Sequence, residues 1–279
     1  VPTAAVNGTE LHYEHLGESG PPVLLVMGVR ARGMAWMPVA ERLAADHRVV
    51  FWDHRGVGGS HPLSGPTSIA EMAADGIGLM DHLGWDTAHV AGVSMGGSIS
   101  QHLALTWPER VRSLTLIATT AHGKGLQQTD LPTILRYFST FFGSRDVRLA
   151  KLARFIYSAE HIEREGMDAV IDRMKLAFGH EHKGTARAQV QAMRAFDVRE
   201  ELHRISAPTL VMGAGGDRIV PERHQKLIHE RVPGAEYVGF PRAAHGVVVE
   251  EAEDISVRVS RLISRVEARV EQRRADEAG

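Results

Sequence analysis

Short apolar runs, each closed by Gly, Pro or Asp, punctuate the chain at residues 23–27, 48–52, 88–93, 113–118, 209–213 and 236–240. Such runs predict strands buried on both faces. Between most of them lie amphipathic stretches of helical length, at residues 34–45, 68–83, 95–107, 222–232 and 247 to about 273. Strands alternating with helices pair in parallel through crossovers, so the pattern predicts an α/β fold with a doubly wound, mostly parallel sheet. Residues 4–16 differ: an Asn7-Gly8 pair between two extended runs predicts an antiparallel hairpin at the sheet edge.

The alternation stops between residues 122 and 206, where helical patterns follow one another without a strand. An insert of roughly 80 residues is too long for a simple connection. The chain therefore divides into a core of residues 1–121 and 207–279 and a helical insert of residues 122–206. The insert is rich in large apolar side chains, among them Phe138, Phe142, Phe155, Met174 and Phe178. Packing among its own helices is one reading. The other makes Phe138, Phe142, Met174 and Phe178 the roof of a pocket whose floor includes Gly28. After Ile263 the tail is rich in Arg and Glu, which predicts a solvated helix face that frays.

Composition narrows the classes of function. The 279 residues are 43% hydrophobic and 24% charged, with a formal net charge of −2. A large core is affordable, and there is no basic field to hold nucleic acid or an anionic membrane. No run of about 18 apolar residues is present to span a bilayer. The absence of cysteine excludes disulfides, thiolate metal sites and a cysteine nucleophile. His180 and His182 lack the neighbours that would complete a metal site, so neither a metal nor another cofactor is expected. A cytoplasmic enzyme acting on a small molecule is the expectation. The chain opens on Val1-Pro2 rather than Met, which leaves export open, and the oligomeric state is open as well.

The candidate chemistry starts at Gly92-Val93-Ser94-Met95-Gly96. A serine between a strand and a helix, with glycine two places to each side, lies on a tight turn that projects its hydroxyl above the sheet. The helix N-terminus and the Met95 amide then face any oxyanion formed there. Asp217 follows the strand at 209–213, and His245 follows the one at 236–240. Ser, Asp and His in that order, each past a strand's carboxyl end, form a candidate relay. His245 takes the serine proton, and Asp217 fixes the ring tautomer. Gly28-Val29 after the strand at 23–27 supplies a second oxyanion donor, the Val29 amide.

These residues resemble the α/β-hydrolase superfamily from the first hairpin to about Ile263. Asp53-His54-Arg55-Gly56-Val57-Gly58-Gly59-Ser60 is similar to that family's Asp-x-Arg-Gly-x-Gly-x-Ser loop, where Asp53, Arg55 and Ser60 have a structural role. Trp107-Pro108-Glu109-Arg110-Val111 and Asp217 with Pro221 match further family segments, and the insert matches its helical cap. Many members carry His-Gly at the oxyanion loop; here it is Met27-Gly28. That pair, followed by Trp36, resembles methylesterases of aromatic polyketide pathways and related small esterases.

A serine nucleophile disfavours the dehalogenases and epoxide hydrolases of this superfamily, which use a carboxylate. The resemblance implies a serine hydrolase, and an ester or lactone of a medium-sized apolar substrate is the first expectation. Carbon–carbon hydrolysis, cofactor-free perhydrolysis and a low-turnover ligand receptor remain as alternatives. Arg30 and Arg32 flank the oxyanion loop; loop arginines are more often solvated, which is the first expectation, and meeting a substrate carboxylate is the alternative. His54 and His122 are expected in surface loops.

Overall fold

The computed structural model describes residues 2–124 and 142–278. Its strands are β1 (Thr3–Val6), β2 (Thr9–Leu16), β3 (Pro22–Val26), β4 (Arg48–Trp52), β5 (Ala88–Val93), β6 (Val111–Ile117), β7 (Thr209–Ala214) and β8 (Glu236–Phe240). They form one sheet in the order β1-β2-β4-β3-β5-β6-β7-β8. β1 and β2 are the expected antiparallel hairpin, and every pairing from β4 to β8 is parallel.

Helices cover both faces. In chain order they are α1 (Met37–Leu43), α2 (Ile69–His82), α3 (Met95–Thr106), α4 (Arg145–Ile156), α5 (Ala159–Glu165), α6 (Met167–Ala177), α7 (Thr185–Ala195), α8 (Arg223–Arg231), α9 (Val247–Glu250) and α10 (Ala252–Ala278). Side chains alternate across a strand, and β3 shows the consequence. Leu24 and Val26 join a core with Met72 of α2, Ile99 of α3 and Ile228 of α8. Val23 and Leu25 join the opposite core, with Val39 of α1 and Ile255 and Val259 of α10. A doubly wound sheet needs apolar residues on both faces, hence the unbroken apolar run.

Three details differ from the sequence expectation. The helix expected at 34–45 begins as a 3-10 turn, Gly33–Trp36, because Pro38 near the start of α1 lacks a backbone donor. The single helix expected from residue 247 is split at Glu251 into α9 and α10. Its charged tail after Ile263 stays helical to Ala278 instead of fraying, and Gln272 Nε2 donates to Asp276 Oδ1 at 2.7 Å one turn on.

The chain leaves β3 for β4 on one side and returns to place β5 on the other. Open α/β sheets leave a crevice at such a reversal, outside the strands' carboxyl ends. The loop after β3 and the turn after β5 both end there. Helices α4 to α7 follow β6 in the chain; α4 and α6 share a core of their own, Leu149, Ala153, Ile156, Val170, Ile171 and Met174, whereas Ala192 and Met193 of α7 join the core that contains Met72 and Ile99.

Candidate active site

Ser94 sits between β5 and α3 with φ 55° and ψ −123°. A non-glycine residue pays strain for such a backbone, so its neighbours must hold it there. Its N–H donates to the Ile117 carbonyl at 3.0 Å, and the Thr119 hydroxyl donates to its carbonyl at 2.6 Å. The flanking glycines are required for space. A Cβ on Gly92 would lie 2.3 Å from the Gly96 carbonyl oxygen, and one on Gly96 only 2.0 Å from that of Val26. Any side chain at either place would push the turn out of register with β3.

The loop after β8 carries His245 to this turn. His245 Nε2 lies 3.1 Å from Ser94 Oγ, and Nδ1 lies 2.7 Å from Asp217 Oδ2. With the proton on Nδ1, the ring donates to the carboxylate and accepts from the serine hydroxyl. The Asp217 side chain is 0% exposed, and that of His245 13%. Asp217 is anchored through its other oxygen, which accepts the Ile219 and Val220 amides at 2.8 and 2.9 Å. Those bonds stabilise the ionised carboxylate inside the protein and fix the oxygen that faces the imidazole.

The loop after β3 faces the serine closely. A Cβ on Gly28 would stand 3.1 Å from Ser94 Cβ. Among the described residues the amides of Val29 and Met95 have no acceptor. Two unspent donors beside a hydroxyl can stabilise an anionic oxygen. The next residue, Arg30, has φ 65°, and its amide donates to Gln189 Oε1 of α7 at 2.8 Å. That bond ties the loop after β3 to the helices between β6 and β7.

His54 is buried rather than in a surface loop: it is 0% exposed and 2.8 Å from the Met27 carbonyl. Burial lowers its pKa, so Nε2–H donates as a neutral ring. It steadies the oxyanion loop from below, a bond that a loop motif alone does not reveal. His122 is half-buried, with its ring centroid 5.7 Å from that of His224. Arg30 and Arg32 are both engaged, Arg30 with Glu181 at 2.6 Å and Arg32 with Asp53 at 3.3 Å. Asp53 also accepts the Gly33 and Gly59 amides, and Arg55 pairs with Glu71 and Asp75. The loop following β4 is thus a folding hub.

A cavity of about 630 Å³ opens over Ser94 and His245. Of the expected pocket residues, Gly28 and Phe178 line it. Met174 does not: it is buried within the separate core of α4 and α6. Phe142 is likewise excluded, being 70% exposed at the start of the segment before α4. Phe138 lies outside the described residues. Phe155, Ile156 and Met193, three more of the insert's large apolar side chains, also line the cavity; the sequence reading missed Leu152, Tyr157 and Val190 as wall residues, together with Ile219 and Val248 from the core loops. Helical period shows that these face inward but not whether they face a cavity or a neighbouring helix. Tyr157 packs beside His245: a Cβ on Gly246 would meet the Tyr157 ring at 2.3 Å.

Among the described residues no helix is long and apolar enough to cross a membrane. Nor do three His, Asp or Glu side chains come together there as a metal site would need.

The profile of the alpha/beta hydrolase fold family matches residues 21–252. A protein of Azorhizobium caulinodans with the provisional name carbamate hydrolase RutD is 35% identical over 247 residues, which are 88% of this chain and 91% of that protein. Among solved structures, the enol-lactonase of Burkholderia xenovorans LB400 superposes with a TM-score of 0.82 at 28% identity, covering 94% of this chain and 100% of its own. A malate-bound thermophilic esterase from Thermogutta terrifontis gives 0.77 at 26%, covering 95% and 97%. The sheet order, the serine turn at its reversal and the matched profile agree, and the chain belongs to the alpha/beta hydrolase fold family.

Proposed function

We propose that the protein is a serine hydrolase that cleaves a carboxylic ester or lactone of medium size through an acyl-enzyme. The observation that carries this reading is the continuous hydrogen-bonded line from Asp217 through His245 to Ser94, opening into a largely apolar cavity. Helices α4 to α7, which supply Leu152, Phe155, Val190 and Met193 to its wall, serve as a cap over that cavity.

In the first half-reaction Ser94 Oγ attacks the substrate carbonyl while its proton passes to His245 Nε2. The carbonyl oxygen becomes anionic and takes the Val29 and Met95 amides. Asp217 stabilises the imidazolium without taking its proton. The tetrahedral adduct collapses as His245 protonates the departing alkoxide; in a lactone this oxygen stays tethered to the acyl group. Water then gives its proton to His245 and attacks the acyl-enzyme, and Ser94 leaves with that proton.

The relatives support acyl chemistry at a carbonyl flanked by a heteroatom, including the lactone and ester of the two structural neighbours. A carbamate is the second reading, favoured by the name of the 35% identical relative. The cavity argues for the larger class, because about 630 Å³ is the room that medium-sized organic ligands occupy.

Rapid mixing with p-nitrophenyl esters of increasing chain length tests the reading. The expected result is a nitrophenol burst equal to the enzyme concentration, with turnover highest at medium chain length. Failure to turn over any activated ester or lactone, with the protein folded, would reject it.

A further inference from the structure

Apart from the titratable His245, the charged residues lining the cavity are all cationic among the described residues: Arg30, Arg194 and Arg218, with no Asp or Glu among the described lining residues. This runs against the chain's net charge of −2. Arg30 is committed to Glu181. Arg194, in the last turn of α7, and Arg218, directly after Asp217, are exposed and have no hydrogen-bond or ion-pair partner among the described residues. The contrast is local as well: Arg199, a few residues beyond Arg194, is held by Asp197 at 2.7 Å.

Two unspent guanidinium groups at the edge of an apolar chamber have a chemical meaning. Apolar walls strengthen the field of a nearby charge, and a planar guanidinium matches a carboxylate through two parallel hydrogen bonds. Because both arginines reach water, little desolvation is paid before a ligand arrives. One comes from the loop after β7 and the other from α7, so an anion between them would engage both halves of the cavity wall.

We propose that Arg194 and Arg218 recognise a carboxylate on the substrate, remote from the bond cleaved, and that the preferred substrates are acidic: half-esters of dicarboxylic acids or lactones bearing a free carboxylate. This rests on the serine-hydrolase reading above and adds the substrate class. Arg30 and Arg32, for which the sequence leaves such a role as an alternative, are engaged with Glu181 and Asp53.

The test pairs p-nitrophenyl hydrogen adipate with p-nitrophenyl hexanoate, which share an acyl length and differ by the terminal carboxylate. The acidic ester is expected to have the higher kcat/KM by about tenfold at low ionic strength, as one charge-assisted contact supplies. The preference should shrink as salt is added. In the Arg194→Ala, Arg218→Ala double variant the ratio of the two values should fall about tenfold through KM, and lysine at both positions should restore part of it. Equal values in the wild type, or a ratio that the double variant leaves unchanged, would overturn the proposal. A turnover-independent arm measures thermal stabilisation by adipate against 1,6-hexanediol. Protection by adipate alone, lost in the double variant, supports the proposal even if neither ester is cleaved; in that case only the catalytic reading fails. No protection by adipate and no acidic preference together reject the proposal while leaving cleavage of neutral esters intact.

Discussion

The loops at the carboxyl ends of β3, β5, β7 and β8 and the helices between β6 and β7 meet at one cavity, yet they are built on opposite terms. The loops are over-determined: Ser94, Asp217 and the Gly28 turn are fixed by backbone hydrogen bonds, by strands buried on both sides and by glycines that admit no substitute. Of the helices, α4 and α6 rest on a small core of their own, α7 joins the main core through Ala192 and Met193, and a few ties bind them to the loops. Examples are Gln189 to the Arg30 amide, the Ala177 carbonyl to the Arg32 amide, and Ser158 to Glu250, which also accepts the Ala244 amide beside His245. The first region fixes distances to tenths of an ångström, and the second sets the shape of what fits. Chemistry and specificity can then change independently.

Substitutions in the two regions should therefore differ in kind. The largest effect is expected for Ser94→Ala, which should lower kcat by about a million-fold, with thermal unfolding unchanged. Asp217→Asn should follow at about 10⁴-fold, because the amide no longer selects the Nδ1–H tautomer. A steady-state assay on a nitrophenyl ester reads both: a loss of less than tenfold for Ser94→Ala would put the nucleophile elsewhere, and one of less than tenfold for Asp217→Asn would remove Asp217 from the relay.

His54→Phe removes the donor to the Met27 carbonyl and should lower kcat by about tenfold with KM nearly constant, since the oxyanion loop acts on the transition state. Partial recovery in His54→Gln would separate this positioning effect from general loss of packing. Phe155→Ala, in the helix wall, should leave kcat on the best substrate within a few-fold and shift the optimum to longer acyl chains. If Phe155→Ala instead lowered kcat on all chain lengths alike, the division between the two regions would break.

The smallest contrast is in stability. His224 in α8 is buried against Thr120, and desolvation lowers its pKa to about 4 from 6.5. The unfolded chain binds that proton near pH 6.5 and the folded chain only near 4, so acid favours unfolding in between. Between pH 6.5 and 5 the protein should lose about 2 kcal/mol of stability from this group, measured by urea titration at each pH. His224→Asn should remove this share of the dependence and leave that of the other desolvated histidines, such as His89.

The same contrast explains what was legible in the sequence. β3, β5 and β7 could be placed because a strand covered on both faces must be apolar throughout, and the serine turn because only glycine fits where Gly92 and Gly96 approach other backbone. Ser94, Asp217 and His245 were visible as strand-end residues in order, and the fold places them within hydrogen-bond reach. The wall residues were not. Met174 and Phe178 are equally apolar and lie close in sequence, yet one is buried among helices and the other lines the cavity. Nothing in a 3.6-residue period distinguishes those faces. His54 was misplaced for a related reason: loop position suggests water, whereas this loop folds under β3's end and buries its ring against Trp52.

The central claim is that the hydroxyl of Ser94 is the nucleophile activated by its imidazole neighbour. Incubation with a fluorophosphonate, followed by mass spectrometry of the digested protein, tests it most directly. One adduct per chain on the peptide containing Ser94, absent from the heat-unfolded protein and from His245→Ala, is the predicted result. No adduct on the folded wild type, or an adduct of equal extent in Ser94→Ala, would contradict the account.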